Sequence, residues 1–348
     1  MRAIVKPDRR PGLELWEVPV PTPGPDEVLL RVRRVGICGT DLHIYRWDRW
    51  AQSRIRPPLV LGHEFVGVVA EVGPLARGVS PGEVVSAESH IVCGVCEHCR
   101  TGEAHVCRET RILGVDRDGA FADYVAVPAA NVIPVPPEIP LDHAAVFDPL
   151  GNAVHTVLTA DVVGKSVAVV GCGPIGLFAI AVARAAGAAR VLAVEPVEGR
   201  LALARRLGAD PALNPRTDDV EAAVRDCTDG YGADVVCEMS GHPDGIRTAL
   251  RIVRNAGRVQ MLGLPREPVP LDLAHDVIFK GTTLYGVIGR RMYDTWLAMR
   301  NLLRAGLVDI APVLTHRFPL ERFEEGLQAM EEGVAAKVIL TLDDGAAD

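Results

Sequence analysis

"SVAVVGCGPIGLFAIAVA", Ser166 to Ala183, carries no charged residue anywhere along its length. That is about the shortest apolar run that can cross a membrane. Gly171, Gly173, Pro174 and Gly176 interrupt it in the middle, which leaves "SVAVV", rich in β-branched residues, before them and an alanine-rich run after them. The stretch therefore reads as strand, tight turn and helix.

The three glycines fall in the spacing G-x-G-x-x-G, a weak signal alone because glycines cluster by chance. A second strand-like run, "RVLAVEP", strengthens it, because Glu195 stands 19 residues beyond Gly176, close to where a ribose-binding carboxylate belongs. Glycine at these positions lets a pyrophosphate approach the free N–H groups of the helix N-terminus. Glu195 would accept hydrogen bonds from the adenosine ribose hydroxyls and repel a 2′-phosphate, so NAD is expected in preference to NADP. Arg200 would stack on the adenine or, the less favoured reading, pair with a phosphate.

Working outward, "VLAVE", "ADVVCEMSG", "GRVQMLG" and "TLYGVI" alternate with Ala-, Leu- and Arg-rich helical segments. This predicts a doubly wound parallel sheet that ends near Gly286. Upstream, "TPGPDEVLLRVRRVGI" sets Leu30 and Val32 against Arg31 and Arg33 in strand alternation. Further short runs with Gly and Pro punctuation make residues 1 to about 150 mostly β. The helix "TWLAMRNLLRAG" and the strand "AKVILTL" are expected to return to that first domain, and "DDGAAD" to fray. The expected domains are 1–150 with 287–348, and 151–286.

A length of 348 residues suits two domains. Lys and Arg number 37 against 45 acidic residues, and the net charge of −8 includes no basic block. Nucleic acid is thus not an expected partner. "MRAIVKPDRRPGLELW" puts charges and prolines where a secretory signal has an apolar run. A cytoplasmic location without membrane association is expected.

"CGVCEHCRTGEAHVC" holds Cys93, Cys96, Cys99 and Cys107 in the pattern C-x2-C-x2-C-x7-C. A disulfide framework suits small secreted chains. The bacterial iron–sulfur pattern places its fourth cysteine sooner and before proline. Four thiolates closing a tetrahedron around a structural zinc fit best. His90, His98 and His105 lie close by, and His98 and His105 are expected to be exposed loop residues. A second group, Cys38 in "GICGTDLH" with His63 and Glu64 in "LGHEF", offers three mixed ligands. These would leave an open position, as a catalytic zinc requires. From the residues alone, a buried cysteine beside a solvated His-Glu pair explains them equally well. Cys172, Cys227, Cys237, Met261 and Met299 read as core filler.

Taken together, "GICGTDLH", "GHEFVGVVAEVG", the four-cysteine loop, "GCGPIGLF" and "AKVIL" make the chain resemble the zinc-containing medium-chain alcohol dehydrogenases over nearly its whole length. Within that family it resembles the branch that oxidises L-threonine, on "HIYRWDRWA", "ILGVDRDGAFADYVAVP", "FDPLGNAVHT" and "THRFPLERFEEGLQAM". The resemblance implies a Rossmann cofactor domain beside a mostly β, GroES-like catalytic domain. It implies two zincs per subunit, one structural and one catalytic, the latter on Cys38, His63 and Glu64. Thr40 and His43 would form a proton relay, and Asp148 would tune the site without being a permanent ligand. Ile175, Glu195 and Arg200 would contact NAD with Leu262, Gly263, Leu264, Gly286 and Val287. Glu195 stands where the family commonly has aspartate. The implied reaction oxidises the secondary hydroxyl of L-threonine to 2-amino-3-oxobutanoate in a homotetramer. Glu88, Ser89, His90, Tyr45, Trp47 and Trp50 are the candidates for holding the substrate head group. A polyol or 2,3-butanediol dehydrogenase is the nearer alternative, and a non-catalytic NAD-binding redox sensor the remoter one.

Overall fold

The computed structural model describes residues 1–342, so the tail 343–348, expected to fray, lies outside the described residues. The chain divides into two units: Met1–Asp148 with Arg291–Trp296 and the stretch from Leu314, and Pro149–Arg290 with Leu297–Val313. The expected bounds place 149–150, 287–290 and, above all, Leu297–Val313 with the first domain instead. Its Met299 is fully buried beside Gly151 of the second unit, which accounts for the difference.

In the first unit, the long strand Glu27–Ile37 is the centre of a seven-stranded sheet. Its outward Arg31 and buried Leu30 and Val32 follow the alternation read from sequence, but register shifts at Leu29/Leu30 and Val32/Arg34 bury Arg34 as well. Strand Glu64–Val72 pairs antiparallel to it, with Gly36 opposite Glu64. On the other side lies the C-terminal strand Lys337–Thr341, with Val338 opposite Ile37. These three strands bring Cys38, Glu64 and Lys337 to one end of the sheet. A single apolar core beneath them runs from Ile4 and Leu30 through Phe65 and Phe121 to Leu327 and Leu340.

The second unit contains a six-stranded sheet, parallel throughout, in the order Ala212–Leu213, Arg190–Val194, Ser166–Val170, Ala233–Glu238, Val253–Met261, Thr283–Gly286. The quoted stretch forms strand Ser166–Val170 and helix Pro174–Ala185, as its punctuation predicts. The two-residue strand Ala212–Leu213 escaped the sequence reading, being too short to show a period. The chain order reverses between Ser166–Val170 and Ala233–Glu238, which opens a crevice at their carboxyl ends. The edge strand Thr283–Gly286 is exposed along its whole length, with Phe279 and Ile288 also exposed beside it in the chain. Among the described residues, no helix is long and apolar enough to cross a membrane.

Candidate metal centres and cofactor crevice

The four-cysteine loop converges as its spacing demands. Cys96 and Cys99 Sγ lie 3.5 Å apart, Cys107 and Cys93 3.6 Å, and Cys96 and Cys107 3.9 Å. Four thiolates bound tetrahedrally to zinc at 2.3 Å stand about 3.8 Å from one another. Backbone amides of Cys96, Cys93 and Glu109 point at these sulfurs, at 3.3 to 3.4 Å. The Cys99 amide is the chief cause that pulls the Cys96 thiol down to about 6, whereas burial and its sulfur neighbours push Cys99 up to about 12. Four sulfurs at these separations fit a tetrahedral dication site. His98 and His105 are not the exposed residues expected of them: both are half-buried, and the His105 ring lies 3.5 Å from Glu103.

Cys38, His63 and Glu64 form the second cluster, with one ligand atom from each lying within 4.8 Å of the others. Local backbone explains the convergence. Cys38 ends strand Glu27–Ile37 and caps helix Gly39–Arg46, while Glu64 opens the strand paired to it. Gly36 must lack a side chain, since a Cβ there would lie 2.3 Å from Glu64 Oε2. His63 and Glu64 are buried, at 7% and 1% exposure. Burial alone would lower the His63 pKa, but the Cys38 thiolate, with Asp41 and Asp148 nearby, raises it to about 10. The cluster therefore draws positive charge to itself, and its donor set of thiolate, imidazole and carboxylate suits a zinc with one open position.

Around these ligands stand groups that periodicity does not reveal. Asp41 is fully buried and accepts the Cys38 amide at 2.8 Å, while its other oxygen lies 4.0 Å from His63 Nδ1. Burial is the main cause of its pKa rising to about 6. Lys337, only 2% exposed, makes an ion pair with Glu64 and donates to the Ile37 carbonyl at 2.8 Å. Asp148, in the first turn of helix Phe147–Leu158, stands outside the three-ligand group and accepts the Ser89 hydroxyl at 2.5 Å. Glu88 is fully buried; its carboxylate takes the His90 amide at 2.9 Å and the Trp296 indole at 2.7 Å. Thr40 Oγ1 lies 3.7 Å from Cys38 Sγ. Thr40 and His43 are three residues apart on one helix and so share a face. His43 Nδ1 lies 2.5 Å from Asp48 Oδ2.

In the second unit the glycine loop opens the crevice. Gly171 has φ +91°, and a Cβ there would lie 2.7 Å from Ser240; one on Gly176 would lie 2.0 Å from the Gly171 carbonyl oxygen. Only glycine fits either place. A Cβ on Gly173, at the helix N-cap, would meet nothing within 4 Å, which leaves room there for a ligand. Glu195, 3% exposed, accepts the amides of Cys172 at 2.8 Å and Val197 at 3.1 Å. Arg200 Nη1 lies 3.9 Å from it, and the buried Arg200 Nε has no partner. Ile175 lies in the first turn of the helix. Leu262 and Gly263 follow strand Val253–Met261, with their amides on the Glu238 carbonyl; Leu264 is 89% exposed. Gly286 closes the edge strand, and the Val287 amide bonds to the Met261 carbonyl. All the nucleotide candidates thus lie at one end of one parallel sheet.

Comparison with known proteins decides the family. A model of the alcohol dehydrogenase GroES-like domain matches residues 24–137, and one of the zinc-binding dehydrogenase domain matches 174–305. The L-threonine 3-dehydrogenase of Caldanaerobacter subterraneus subsp. tengcongensis is 50% identical over 341 residues, and that of Bacillus licheniformis 52% over 340; each comparison covers 98% of both chains. The chain belongs to the zinc-binding dehydrogenases. A solved alcohol dehydrogenase from Thermus sp. ATN1 superposes with a TM-score of 0.90 at 32% identity, covering 99% of this chain and 100% of that one.

As a zinc-binding dehydrogenase it is an NAD-dependent enzyme with a structural and a catalytic zinc, and the crevice carries a direct test of its cofactor choice. Glu195 is the expected ribose-binding carboxylate, and replacing it by alanine would remove the charge expected to repel a 2′-phosphate. The ratio of kcat/KM for NAD over NADP is expected to fall by roughly ten-fold or more, about 1.4 kcal/mol. An unchanged ratio would contradict a ribose role for this carboxylate.

Proposed function

We propose that this dehydrogenase oxidises L-threonine at its secondary hydroxyl to 2-amino-3-oxobutanoate and reduces NAD. The observation that carries the substrate assignment is identity of about half the residues with L-threonine 3-dehydrogenases over 98% of the chain. The three mixed donors Cys38, His63 and Glu64 support a catalytic zinc, and the four cysteines a structural one.

Zinc held by Cys38, His63 and Glu64 supplies a Lewis acid that lowers the pKa of an alcohol. Thr40, beside the Cys38 sulfur, takes the hydroxyl proton and passes it toward His43, one turn further along the same helix. NAD, when bound, would supply the acceptor for the hydride of the same carbon, with the open space at Gly173 available to its pyrophosphate and the Glu195 carboxylate to its ribose. Asp148, fixed by the Ser89 hydroxyl, keeps negative charge near His63 and so supports a cation in the ligand cluster. Glu88 is committed to internal donors and supports the site as a brace. Trp47 packs in the core under Lys6, whereas Trp50 is 40% exposed, which leaves Trp50 the better placed of the two to meet a substrate.

The test is the initial rate of NADH formation by zinc-loaded enzyme with L-threonine, beside D-threonine, sorbitol and 2,3-butanediol. L-Threonine is expected to be turned over with the highest kcat/KM. A preference for the diols would reassign the substrate and keep the metal and cofactor sites. We also propose a cytoplasmic homotetramer. The exposed edge strand Thr283–Gly286 supports self-association, because its unpaired backbone groups and apolar neighbours suit a second copy. Sedimentation equilibrium reads the subunit number directly.

A further inference from the structure

We propose that Asp48 is a positioning residue of the proton relay, holding the His43 ring so that Nε2 receives the proton and offsetting the charge the ring then carries. The inference deepens the reading above and rests on His43 being the relay base.

The segment "HIYRWDRW" is folded in a way that gives Asp48 two tasks. Helix Gly39–Arg46 ends at Trp47 in the left-handed region, at φ 54°, and the chain turns back so that the Asp48 amide meets the His43 carbonyl at 3.3 Å. Asp48 then caps the next helix, Arg49–Arg54, its Oδ1 accepting the Ala51 amide at 3.1 Å. That bond fixes the carboxylate. Its second oxygen, Oδ2, is left facing His43 Nδ1 at 2.5 Å. Trp50, from the same short helix, packs its edge on the imidazole at 6.1 Å between centroids. The ring is therefore gripped by two side chains, and Nε2 is the nitrogen not engaged by Asp48.

The charges around the ring leave this pairing undisturbed. On the His43 helix, Arg46 is bound to Glu331 at 2.6 Å and Asp41 is turned to the Cys38 amide. On the facing helix, Arg54 is bound to Asp116 at 2.6 Å, and Arg49 is exposed. Among the described residues, Asp48 is the one charged side chain in hydrogen-bonding contact with the ring. Burial works to raise its pKa, but the Ala51 amide and the His43 ring together hold it below the usual carboxylate range.

The chemistry follows from the two ring nitrogens. In the neutral ring Nδ1–H donates to Asp48, which fixes the tautomer and leaves the Nε2 lone pair as acceptor. When a proton arrives at Nε2 the ring becomes a cation beside a carboxylate, and it returns to neutral by giving that proton to water. No atom is gained or lost. Both side chains are about a third exposed, 35% and 36%, so solvent screens the pair and the effect is moderate.

Four variants of the full-length, zinc-loaded enzyme separate this role from helix capping. Asp48→Asn keeps one oxygen for the cap and turns an amide N–H donor to the ring, so the ring loses both the charge and its acceptor; Asp48→Ser keeps the cap but is too short to reach the ring. Asp48→Ala loses both, and His43→Asn tests the relay itself. In Asp48→Asn and Asp48→Ser, kcat is expected to fall by roughly ten-fold, part of what a general base contributes. KM for both substrates and the melting temperature should stay at wild-type values. Wild-type kcat in both capping variants, with loss only in Asp48→Ala, would reduce Asp48 to a cap and overturn the proposal. A wild-type rate in His43→Asn would instead overturn the relay, and the proposal with it.

Discussion

Replacing Cys38 by serine is expected to lower turnover by roughly a thousand-fold or more, since Lewis-acid stabilisation worth several kcal/mol is lost and each 1.36 kcal/mol is ten-fold in rate. The fold should be spared. Cys38 caps helix Gly39–Arg46, a place where serine is among the best residues, and its amide bond to Asp41 does not involve the sulfur. Glu64 also keeps its ion pair with Lys337. Metal analysis should therefore read one zinc per chain in the variant against two in the parent, with nearly coincident melting curves. Two zincs retained with wild-type turnover would remove Cys38 from the catalytic centre.

Cys93→Ser should give the opposite pattern. The loop it belongs to has almost no core of its own: helix Glu97–Arg100 and the 3-10 turn Ala104–Val106 bury no residue, and Cys107 is the one buried cysteine of the four. Metal–sulfur bonds take the place of apolar packing there. Without them the loop should open to proteases between Cys93 and Cys107. Losing a few kcal/mol should lower the melting temperature by roughly 5–10 °C, at about 2–4 °C per kcal/mol for a domain of this size. The catalytic zinc should remain bound. A variant that melts like the parent would show that the four-thiol centre carries no stability.

These two centres also mark what could be read from the chain unaided. The four cysteines were legible because their spacing is itself a geometry, and the glycine loop because Gly171 and Gly176 sit where any Cβ collides with backbone or Ser240. Cys38, His63 and Glu64 were ambiguous as residues, because strand register brings them together and register is not written locally. The partners were harder still. Lys337 reaches the Ile37 carbonyl from 300 positions away, and nothing near Glu64 announces it. Ser89 is one of several candidates for the substrate head group, and nothing in its neighbourhood announces the hydrogen bond its hydroxyl donates to Asp148. His105 was expected in solvent; the fold half-buries it, its ring close to Glu103. Asp48 lay inside a quoted segment and was passed over for the tryptophans around it, because a contact between residues five apart needs the turn at Trp47.

The pairing of Glu27–Ile37 with Lys337–Thr341 has a bearing on biosynthesis. A ribosome delivers Cys38, His63 and Glu64 long before Lys337. For most of synthesis the nascent chain holds its metal-binding carboxylate without the buried cation that balances it, and the Arg34–Ile37 end of the central strand, beyond its pairing with Tyr124–Pro128, keeps one edge open. The Rossmann-type unit, whose strands all lie between these two segments in the sequence, can form its parallel sheet in that interval. The three-ligand cluster is thus completed only after the parallel sheet has been made, and a chain released short of residue 337 carries every zinc ligand in an unfinished sheet.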